Sequence, residues 1–235
     1  HCDCNCFYAS VEMQEHPELR GKSIAVCGDP EARHGIVLTA SYPAKRMGVK
    51  TAMPIWEAKQ HCRDLIVVPA SYGKYQKYSS YVREIFRDYT DQVESFGLDE
   101  AWLDITGSLG LFGDPVKIAK EISDRIKREL GITVSIGVSF NKITAKLGSD
   151  YKKPDAITVI EPDNYKQIVY PLPVGDLLYV GNATQRKLGS YGIRTIGQLA
   201  ETNPEVLKGW FGVMGYTLSA FARGLDQTPV AKQDA

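Results

Sequence analysis

The chain has 235 residues, 43% of them hydrophobic, with 28 basic and 28 acidic residues and a formal net charge of zero. This is an ordinary globular composition that suits one large domain or two. No apolar run approaches the roughly 18 residues of a membrane span, and no signal-peptide pattern opens the chain, so we expect a cytoplasmic protein with no membrane partner. A neutral charge balance is unexpected for a protein that binds nucleic acid strongly through phosphates.

The first part of the chain predicts a small module of mixed secondary structure. A strand-like segment, HCDCNCFYASVE, opens the sequence. The segments SIAVCG and GIVLTAS are typical of strands, and TAMPIWEAKQHC predicts a short helix with Pro54 near its first turn.

From Leu65 the predicted order is β-α-β-β-α-β. The strands are LIVVPA, VESFGL, AWLDITG and ITVSIGVSF, and the helices are YGKYQKYSSYVREIFRDYT and PVKIAKEISDRIKREL. This ferredoxin-like order places the middle hairpin at the centre of a sheet, where a first strand carrying Asp3 can lie alongside.

The second of these helices has the clearest boundaries. Asp114 can cap it, Pro115 begins it and Gly131 ends it. Its predicted apolar stripe consists of Val116, Ala119, Ile122, Ile126 and Leu130.

Past Pro162 the pattern becomes helical and is interrupted by glycines, which predicts several short helices joined by tight turns. We expect a separate C-terminal module there. Its predicted small helical core consists of Leu177, Leu188, Ile193, Ile196 and Leu199.

The cysteines of the first segment are spaced as in a strand. Cys2, Cys4 and Cys6 alternate with other residues, which predicts one buried face of reduced thiols and places Asp3 on the opposite face. Zinc ligation is the alternative, but no C-x-x-C pair with a second matching pair occurs, so we reject it.

Three carboxylates, Asp3, Asp99 and Glu100, are the strongest candidates for chemistry. An adjacent acidic pair is usually solvated surface. Asp99 and Glu100, however, lie between the apolar strand patterns VESFGL and AWLDI, where a charge needs a partner or an ion. Magnesium prefers hard oxygen ligands, so the three carboxylates predict a two-metal site for phosphoryl transfer.

Five collinear segments together resemble the Y-family, translesion DNA polymerases of the DNA polymerase IV type. They are DCNCFYASVE, GIVLTASYPAKRMGVKTAMP, FGLDEAWLDITG, SIGVSFNKITAKLGSDYKKPDAITV and YVGNATQRKLGSYGIRTIGQL. The resemblance implies an α+β fold with a ferredoxin-like palm over 1–10 and 69–161, small α/β fingers over 11–68 and a helical helix-hairpin-helix thumb over 162–228. Residues 229–235 would begin the linker to a basic little finger domain that this sequence lacks, which would explain the neutral charge.

The resemblance also implies the metal site. Asp3 and Asp99 correspond to the carboxylates that bind both of two magnesium ions, and Glu100 corresponds to the one nearer the primer terminus. Cys4 would contribute its backbone carbonyl and not its thiol. Gly97 precedes the acidic pair where serine is common, which we expect to affect the primer end more than the metals.

Residues expected to contact the incoming nucleotide follow from the same motifs. Tyr8 resembles the steric gate whose ring excludes a 2′-hydroxyl, although an aromatic residue at this position could equally be core. Lys45 replaces a common arginine, so it would act on phosphate as a point charge. The full expected set is Phe7, Tyr8, Thr39, Tyr42, Lys45 and Lys153.

DNA contacts are expected from two places. Lys142 and Lys146 lie four residues apart on one helix face, which suits a DNA backbone but equally suits a solvated face. In the thumb, YVGNATQRKL resembles a helix-hairpin-helix in which Tyr179 replaces the first hairpin glycine. The expected contacts there are Gly181, Thr184 and Lys187.

The function implied is template-directed, low-fidelity DNA synthesis across damaged templates. The expected partners are primer-template DNA, a deoxynucleoside triphosphate and, in the full-length protein, a sliding clamp, with the polymerase a monomer. A nucleotidyl cyclase can use a similar palm, but the fingers and thumb motifs argue against it. A catalytically inactive DNA-binding or recruitment relative is the other alternative, and the three intact carboxylates argue against that.

Overall fold

The computed structural model describes residues 1–28 and 35–232. The strands are β1 Cys2–Cys4, β2 Ile24–Cys27, β3 Val37–Ala40, β4 Ile66–Pro69, β5 Val93–Ser95, β6 Glu100–Leu103, β7 Val134–Ser139 and β8 Ile157–Ile160. The helices are α1 Phe7–Glu15, α2 Tyr42–Arg46, α3 Ile55–His61, α4 Tyr72–Arg87, α5 Leu109–Phe112, α6 Pro115–Leu130, α7 Lys142–Tyr151, α8 Tyr165–Val169, α9 Asn182–Ser190, α10 Ile196–Glu201, α11 Pro204–Phe211 and α12 Val213–Ala222. No helix in these described ranges has the length and apolar character needed to cross a membrane.

The larger sheet has the strand order β5-β6-β1-β7-β8. Strand β1 pairs antiparallel with both β6 and β7, whereas β7 and β8 are parallel. The elements β1, α4, β5, β6, α6 and β7 therefore form the predicted ferredoxin-like β-α-β-β-α-β arrangement, with β1 at the centre.

The assignment of its first strand was wrong. LIVVPA forms β4, but β4 pairs parallel with β2 in a separate three-stranded sheet of order β3-β2-β4. The opening strand β1 takes the place that we gave to β4. An apolar run identifies a strand but does not identify its neighbours, because each strand is paired through backbone groups that every sequence has.

The opening segment also differs from its prediction. Only Cys2–Cys4 is strand, and α1 begins at Phe7. Cys6 has a left-handed φ of 47° and precedes the helix, so it does not extend the strand face. Cys2, Cys4 and Cys6 are nevertheless all buried as free thiols. The short strand and the turn place the first residues of α1 directly beside the sheet.

Helix α6 confirms the predicted boundaries and packs against the larger sheet. The Asp114 carboxylate accepts hydrogen bonds from the amides of Val116 and Lys117, and Gly131 ends the helix with a φ of 69°. Ala119, Ile122 and Ile126 are buried as predicted, whereas Val116 is exposed and Ile118 is buried in its place. The buried face of α6 is therefore rotated slightly relative to the predicted apolar stripe.

The chain has three hydrophobic cores in its described part. One lies between the larger sheet and helices α4 and α6, and a smaller one surrounds β2 and β3. The third belongs to the C-terminal helices and includes all five residues predicted for it: Leu177, Leu188, Ile193, Ile196 and Leu199. It also takes in Ile143 and Leu147 of α7, so α7 connects the sheet to the C-terminal helices.

Candidate active site

Strand pairing brings the three carboxylates together. In the β1–β6 ladder Asp3 lies opposite Glu100, and the amide of Cys4 donates to the Asp99 carbonyl at 2.8 Å. Asp3 also pairs with Ser135 of β7, so it occupies the middle of the sheet. Antiparallel register thus places residues that are distant in sequence side by side.

The turn before the acidic pair is held by α4. Gly97 has a φ of 85°, a left-handed conformation that a glycine adopts without strain. The Arg83 guanidinium donates to the Gly97 carbonyl at 2.9 Å, and the Ser79 hydroxyl donates to the Leu98 carbonyl. These two bonds fix the backbone immediately before Asp99.

Two lysines reach into the carboxylates. The Lys146 ammonium lies 2.5 Å from Glu100 Oε2 and 3.2 Å from Asp3 Oδ2. The Lys153 ammonium lies 2.8 Å from the same Asp3 oxygen. A buried ion pair is stabilising only where good geometry and additional hydrogen bonds compensate for the hydration that both charged groups lose. Here the lysines partly neutralise a buried acidic cluster.

The carboxylates carry excess negative charge despite these lysines. Burial raises the pKa of Asp99 to about 6, with further contributions from Asp3 and Glu100. Burial also raises the pKa of Asp3, and the ammonium groups of Lys153 and Lys146 offset this only in part. Carboxylates whose pKa values are raised in this way are unfavourable in their ionised form, so the site favours binding of an additional cation.

The three carboxylates are the type of donor that suits a hard divalent cation, although their side chains are not arranged around one. Among residues 1–28 and 35–232, no group of three or more His, Cys, Asp or Glu side chains is arranged so that it could hold a metal ion. Instead, ammonium groups occupy the oxygens of Asp3 and Glu100 and act as stand-in cations. Carboxylate oxygens are the ligands that magnesium prefers, so a divalent ion can replace these groups.

The Cys4 thiol does not belong to this donor set. Its side chain is buried, and burial together with Cys2 and Asp99 raises the pKa of the thiol well above its ordinary value. A protonated thiol is a poor metal ligand. A role for the Cys4 backbone carbonyl as a metal ligand stays a prediction.

The Tyr8 ring lies at the start of α1 in a cluster of tyrosines. It is half-buried and stacks on Tyr75, with ring centroids 4.2 Å apart and planes 13° apart. The Tyr75 hydroxyl donates to Glu12 at 2.7 Å, and Glu12 is buried. Because its support is rigid, the Tyr8 ring can act as a wall rather than as a mobile side chain.

Phe7 is placed differently from its neighbour. Its ring is buried in the central core at 2% exposure, so a nucleotide cannot reach its side chain there, and the nucleotide contact of Phe7 stays a prediction. The aromatic ring fills space between α1 and the sheet. Only its backbone amide, at the first position of α1, remains available to a ligand.

The residues expected to bind phosphate lie on two elements beside the sheet. Thr39 is half-buried on β3, and Tyr42 begins α2 with its hydroxyl 3.3 Å from the Asn5 side-chain amide. Lys45 is exposed on the same helix, and its ammonium lies 5.2 Å from the centre of the Tyr42 ring. Lys153 follows α7, and its ammonium contacts Asp3.

Helix α7 does not present the solvated lysine face that was one alternative. Lys142 lies 2.6 Å from both carboxylate oxygens of Glu94 and 4.7 Å from the centre of the Trp102 ring. Lys146 points into the carboxylates instead. Both ammonium groups therefore already have anionic partners, and contact of these lysines with DNA stays a prediction.

The predicted hairpin in the C-terminal helices has an unusual residue at its turn. Tyr179 has a φ of 69°, the left-handed conformation for which glycine is best suited, and its ring stacks on Phe221. Gly181 then precedes α9 and is exposed. The structure therefore retains the turn geometry although the first glycine is missing.

Farther along α9, Thr184 is half-buried and Lys187 is exposed. The Lys187 ammonium lies 2.5 Å from the Trp210 carbonyl and 4.7 Å from the centre of the Phe211 ring. This lysine keeps an open side toward solvent, unlike Lys146.

Comparison with known proteins identifies the family. Residues 2–150 match the model of the impB/mucB/samB family, and residues 175–226 match that of the DNA polymerase-iota thumb domain. The chain is 57% identical to a DNA polymerase IV of Acetivibrio thermocellus over 234 residues, which is 100% of this chain and 59% of the relative. The chain belongs to the Y-family of DNA polymerases, in its DNA polymerase IV branch.

Other Y-family members agree with this assignment. The chain is 44% identical to DNA polymerase IV 1 of Bacillus subtilis, covering 98% of this chain and 55% of that protein. The DinB crystal structure from Sulfolobus solfataricus superimposes with a TM-score of 0.89 at 30% identity, covering 98% of this chain and 68% of that one. An insertion ternary complex of the Dbh DNA polymerase gives the same TM-score over 97% of this chain and 68% of its own. The chain therefore spans between half and two thirds of the length of the Acetivibrio thermocellus and Bacillus subtilis relatives.

Sequence reasoning missed several residues of this Y-family site. His1 is buried, with Nδ1 2.9 Å from the Ser149 hydroxyl and Nε2 3.3 Å from Glu100. Asp150 pairs with both Lys146 and Lys153. Spacing could have indicated both, because His1 shares a strand face with Asp3, and Asp150 lies four residues after Lys146 on a helix.

Proposed function

We propose that this chain is the catalytic part of a template-directed DNA polymerase of the translesion type. The observation that supports this most is the meeting of Asp3, Asp99 and Glu100 on paired central strands. Relatives named DNA polymerase IV and a Dbh ternary complex add support. In the proposed reaction a primer 3′-hydroxyl attacks the α-phosphate of a deoxynucleoside triphosphate, and pyrophosphate leaves.

The proposed metal ligands are the carboxylates of Asp3, Asp99 and Glu100 and the backbone carbonyl of Cys4. Two magnesium ions bound there would stabilise the attacking and leaving oxygens of an in-line displacement. The protein's own contribution is placement: β1 and β6 hold the carboxylates, and the α4 contacts to Gly97 and Leu98 fix the turn before them.

Nucleotide selection falls to residues around the sheet edge. The Tyr8 ring, supported by Tyr75, would lie under the sugar and exclude a 2′-hydroxyl. Thr39, Tyr42 and Lys45 would contact the triphosphate from one side. Lys153 would reach it from the other, exchanging the Asp3 carboxylate for a phosphate.

The regions take the roles expected of palm, fingers and thumb, over 1–10 and 69–161, 11–68, and 162–228. The hairpin before α9 would bind the DNA backbone through exposed amides at a helix N-terminus, with Gly181, Thr184 and Lys187 as contacts. The proposed linker over 229–235 lies partly outside the described residues. We further propose sliding-clamp recruitment of the full-length polymerase, a monomeric state and a cytoplasmic location, where the free thiols stay reduced.

Primer extension tests the proposal. The chain, with magnesium, is given each of the four deoxynucleotides on primed and unprimed templates, beside its Asp99→Ala variant. Additions that follow the template base, need a primer and are lost in the variant are expected. No additions at high enzyme and low salt would contradict the proposal and favour a non-catalytic DNA-binding relative of the same fold.

A further inference from the structure

Lys146 has an unusual position for a lysine, because three carboxylates surround its ammonium group. It lies 2.5 Å from Glu100, 3.2 Å from Asp3 and 3.3 Å from Asp150, and only 15% of its side chain is exposed. Burial lowers the pKa of Lys146, but Asp150, Asp3 and Glu100 outweigh it and the net shift is upward. The lysine is therefore held as a cation at neutral pH.

The backbone that carries Lys146 cannot move far. A Cβ atom on Gly137 of β7 would lie 1.9 Å from the Ala145 carbonyl oxygen, so α7 packs directly on the sheet. The Ser149 hydroxyl donates to the Lys146 carbonyl at 2.8 Å. Any change in the partners of Lys146 must therefore come from rotation of its side chain.

Asp150 differs from the other two partners of Lys146. It lies outside the three proposed catalytic carboxylates, and 41% of its side chain is exposed. It also pairs with Lys153 at 2.7 Å. Both lysines thus have one carboxylate partner that the proposed metal site does not use.

We propose that Lys146 is an internal counter-ion that competes with the divalent cation for Asp3 and Glu100, and that Asp150 retains the lysine when the cation binds. This inference rests on the proposed function of the carboxylates. A unit positive charge between Asp3 and Glu100 repels an incoming divalent ion and occupies two of its oxygen ligands. Asp150 lowers the free-energy cost when Lys146 leaves Asp3 and Glu100, because the Lys146 ammonium keeps one anionic partner.

The consequence is a metal site that stays partly neutralised while it is empty. The site binds a divalent ion weakly until a triphosphate arrives. Lys153 can then pair with the triphosphate instead of Asp3, which removes one of the positive charges beside the Asp3 carboxylate. Lys146 and Asp150 are positioning residues in this scheme.

Binding of Mn²⁺ alone tests the inference without any turnover. The metal-free chain is titrated with Mn²⁺, and the free ion is followed by its electron paramagnetic resonance signal. Lys146→Met should tighten Mn²⁺ binding about tenfold, since it removes a competing charge. Asp150→Asn should weaken it about threefold, since the lysine loses its alternative partner.

Lys74→Met is the matched control, because Lys74 also pairs with a buried carboxylate, Glu12, but lies on α4 outside the site. Its Mn²⁺ affinity should equal that of the unmodified chain. Far-UV circular dichroism checks that each variant is folded. If Lys146→Met does not fold, weaker Mn²⁺ binding by Asp150→Asn supports the inference and unchanged binding overturns it.

Two results would overturn the inference in distinguishable ways. Equal Mn²⁺ affinity in the unmodified chain, Lys146→Met and Asp150→Asn overturns the counter-ion role but leaves the metal site in place. Absence of Mn²⁺ binding in the unmodified chain and in folded Lys146→Met overturns both this inference and the proposed function of the carboxylates.

Discussion

The carboxylate cluster, a proposed metal site, and the hairpin before α9, a proposed DNA contact, are built in opposite ways. The cluster draws on residues from separate segments, is largely buried and is already balanced by ammonium groups. The hairpin is one continuous segment, largely exposed, whose geometry is set by local backbone conformation at Tyr179. Chemistry on a phosphate needs charges fixed in place before the substrate arrives, whereas a sequence-independent grip on DNA needs accessible donors.

Removing a carboxylate should have the largest effect. Asp99→Ala should lower the rate of nucleotide incorporation about a thousandfold or more, because it removes a proposed ligand of both ions. Single-turnover primer extension measures this. Asp104→Ala, an exposed carboxylate just beyond β6, is the matched control and should retain the full rate. Equal activity in both variants would break the assignment of the cluster.

Removing the proposed wall should change selectivity more than rate. Tyr8→Ala should reduce the preference for deoxynucleotides over ribonucleotides about a hundredfold, because a 2′-hydroxyl no longer meets the ring. The measurement compares incorporation efficiency for the two sugars. Tyr81→Ala, an exposed tyrosine of α4, should leave the preference unchanged. An unaltered preference in Tyr8→Ala would assign the ring to packing alone.

The buried cluster also predicts a pH dependence of folding stability. Burial raises the pKa of Asp99 to about 6 from its ordinary value of 3.8, so the folded metal-free protein binds more protons than the unfolded chain between these values. Stability from this group is therefore lost as pH rises through that window. Asp99→Asn should be more stable than the unmodified chain above pH 6, by about 3 kcal/mol, with the difference vanishing near pH 4.

Urea unfolding in the presence of a chelator, from pH 4 to 8, measures this difference. Magnesium should reduce or reverse it, because the ion binds only the ionised carboxylate. A constant difference across the whole pH range would mean that Asp99 titrates normally.

The smallest effect is expected in the thumb. Lys187→Ala should weaken DNA binding about threefold and lower the salt dependence by about one counter-ion, equally for all sequences. Fluorescence anisotropy at several salt concentrations measures both. Lys127→Ala removes an exposed lysine on α6 and is the control. A sequence-dependent loss would show that the hairpin does more than bind phosphate.

The sequence was most informative where a local pattern determines structure. Asp114, Pro115 and Gly131 marked the ends of α6, because caps and helix breakers act on adjacent backbone groups. The five apolar residues predicted for the C-terminal core are also buried, although only Leu188, Ile196 and Leu199 lie on helices.

The sequence was least informative where tertiary pairing decides. Nothing in LIVVPA indicates that β4 joins β2 rather than the larger sheet. Lys142 and Lys146 share a helix spacing typical of a solvated face, yet Glu94 and the carboxylate cluster lie beside them. Cys6 fitted a strand by alternation, but the turn into α1 places it in a left-handed conformation. For the strand and the two lysines, residues distant in sequence supplied the partner, whereas the conformation of Cys6 depends on the adjacent turn.

Anomalous diffraction from crystals soaked in Mn²⁺ and a nonhydrolysable deoxynucleoside triphosphate with primed template is the most direct measurement. Two anomalous peaks are expected, each within ligand distance of oxygens from Asp3 and Asp99. One of them should also lie near Glu100, and Lys146 should no longer lie between Asp3 and Glu100. Mn²⁺ peaks elsewhere, with Lys146 still paired to both carboxylates, would contradict the proposed metal site.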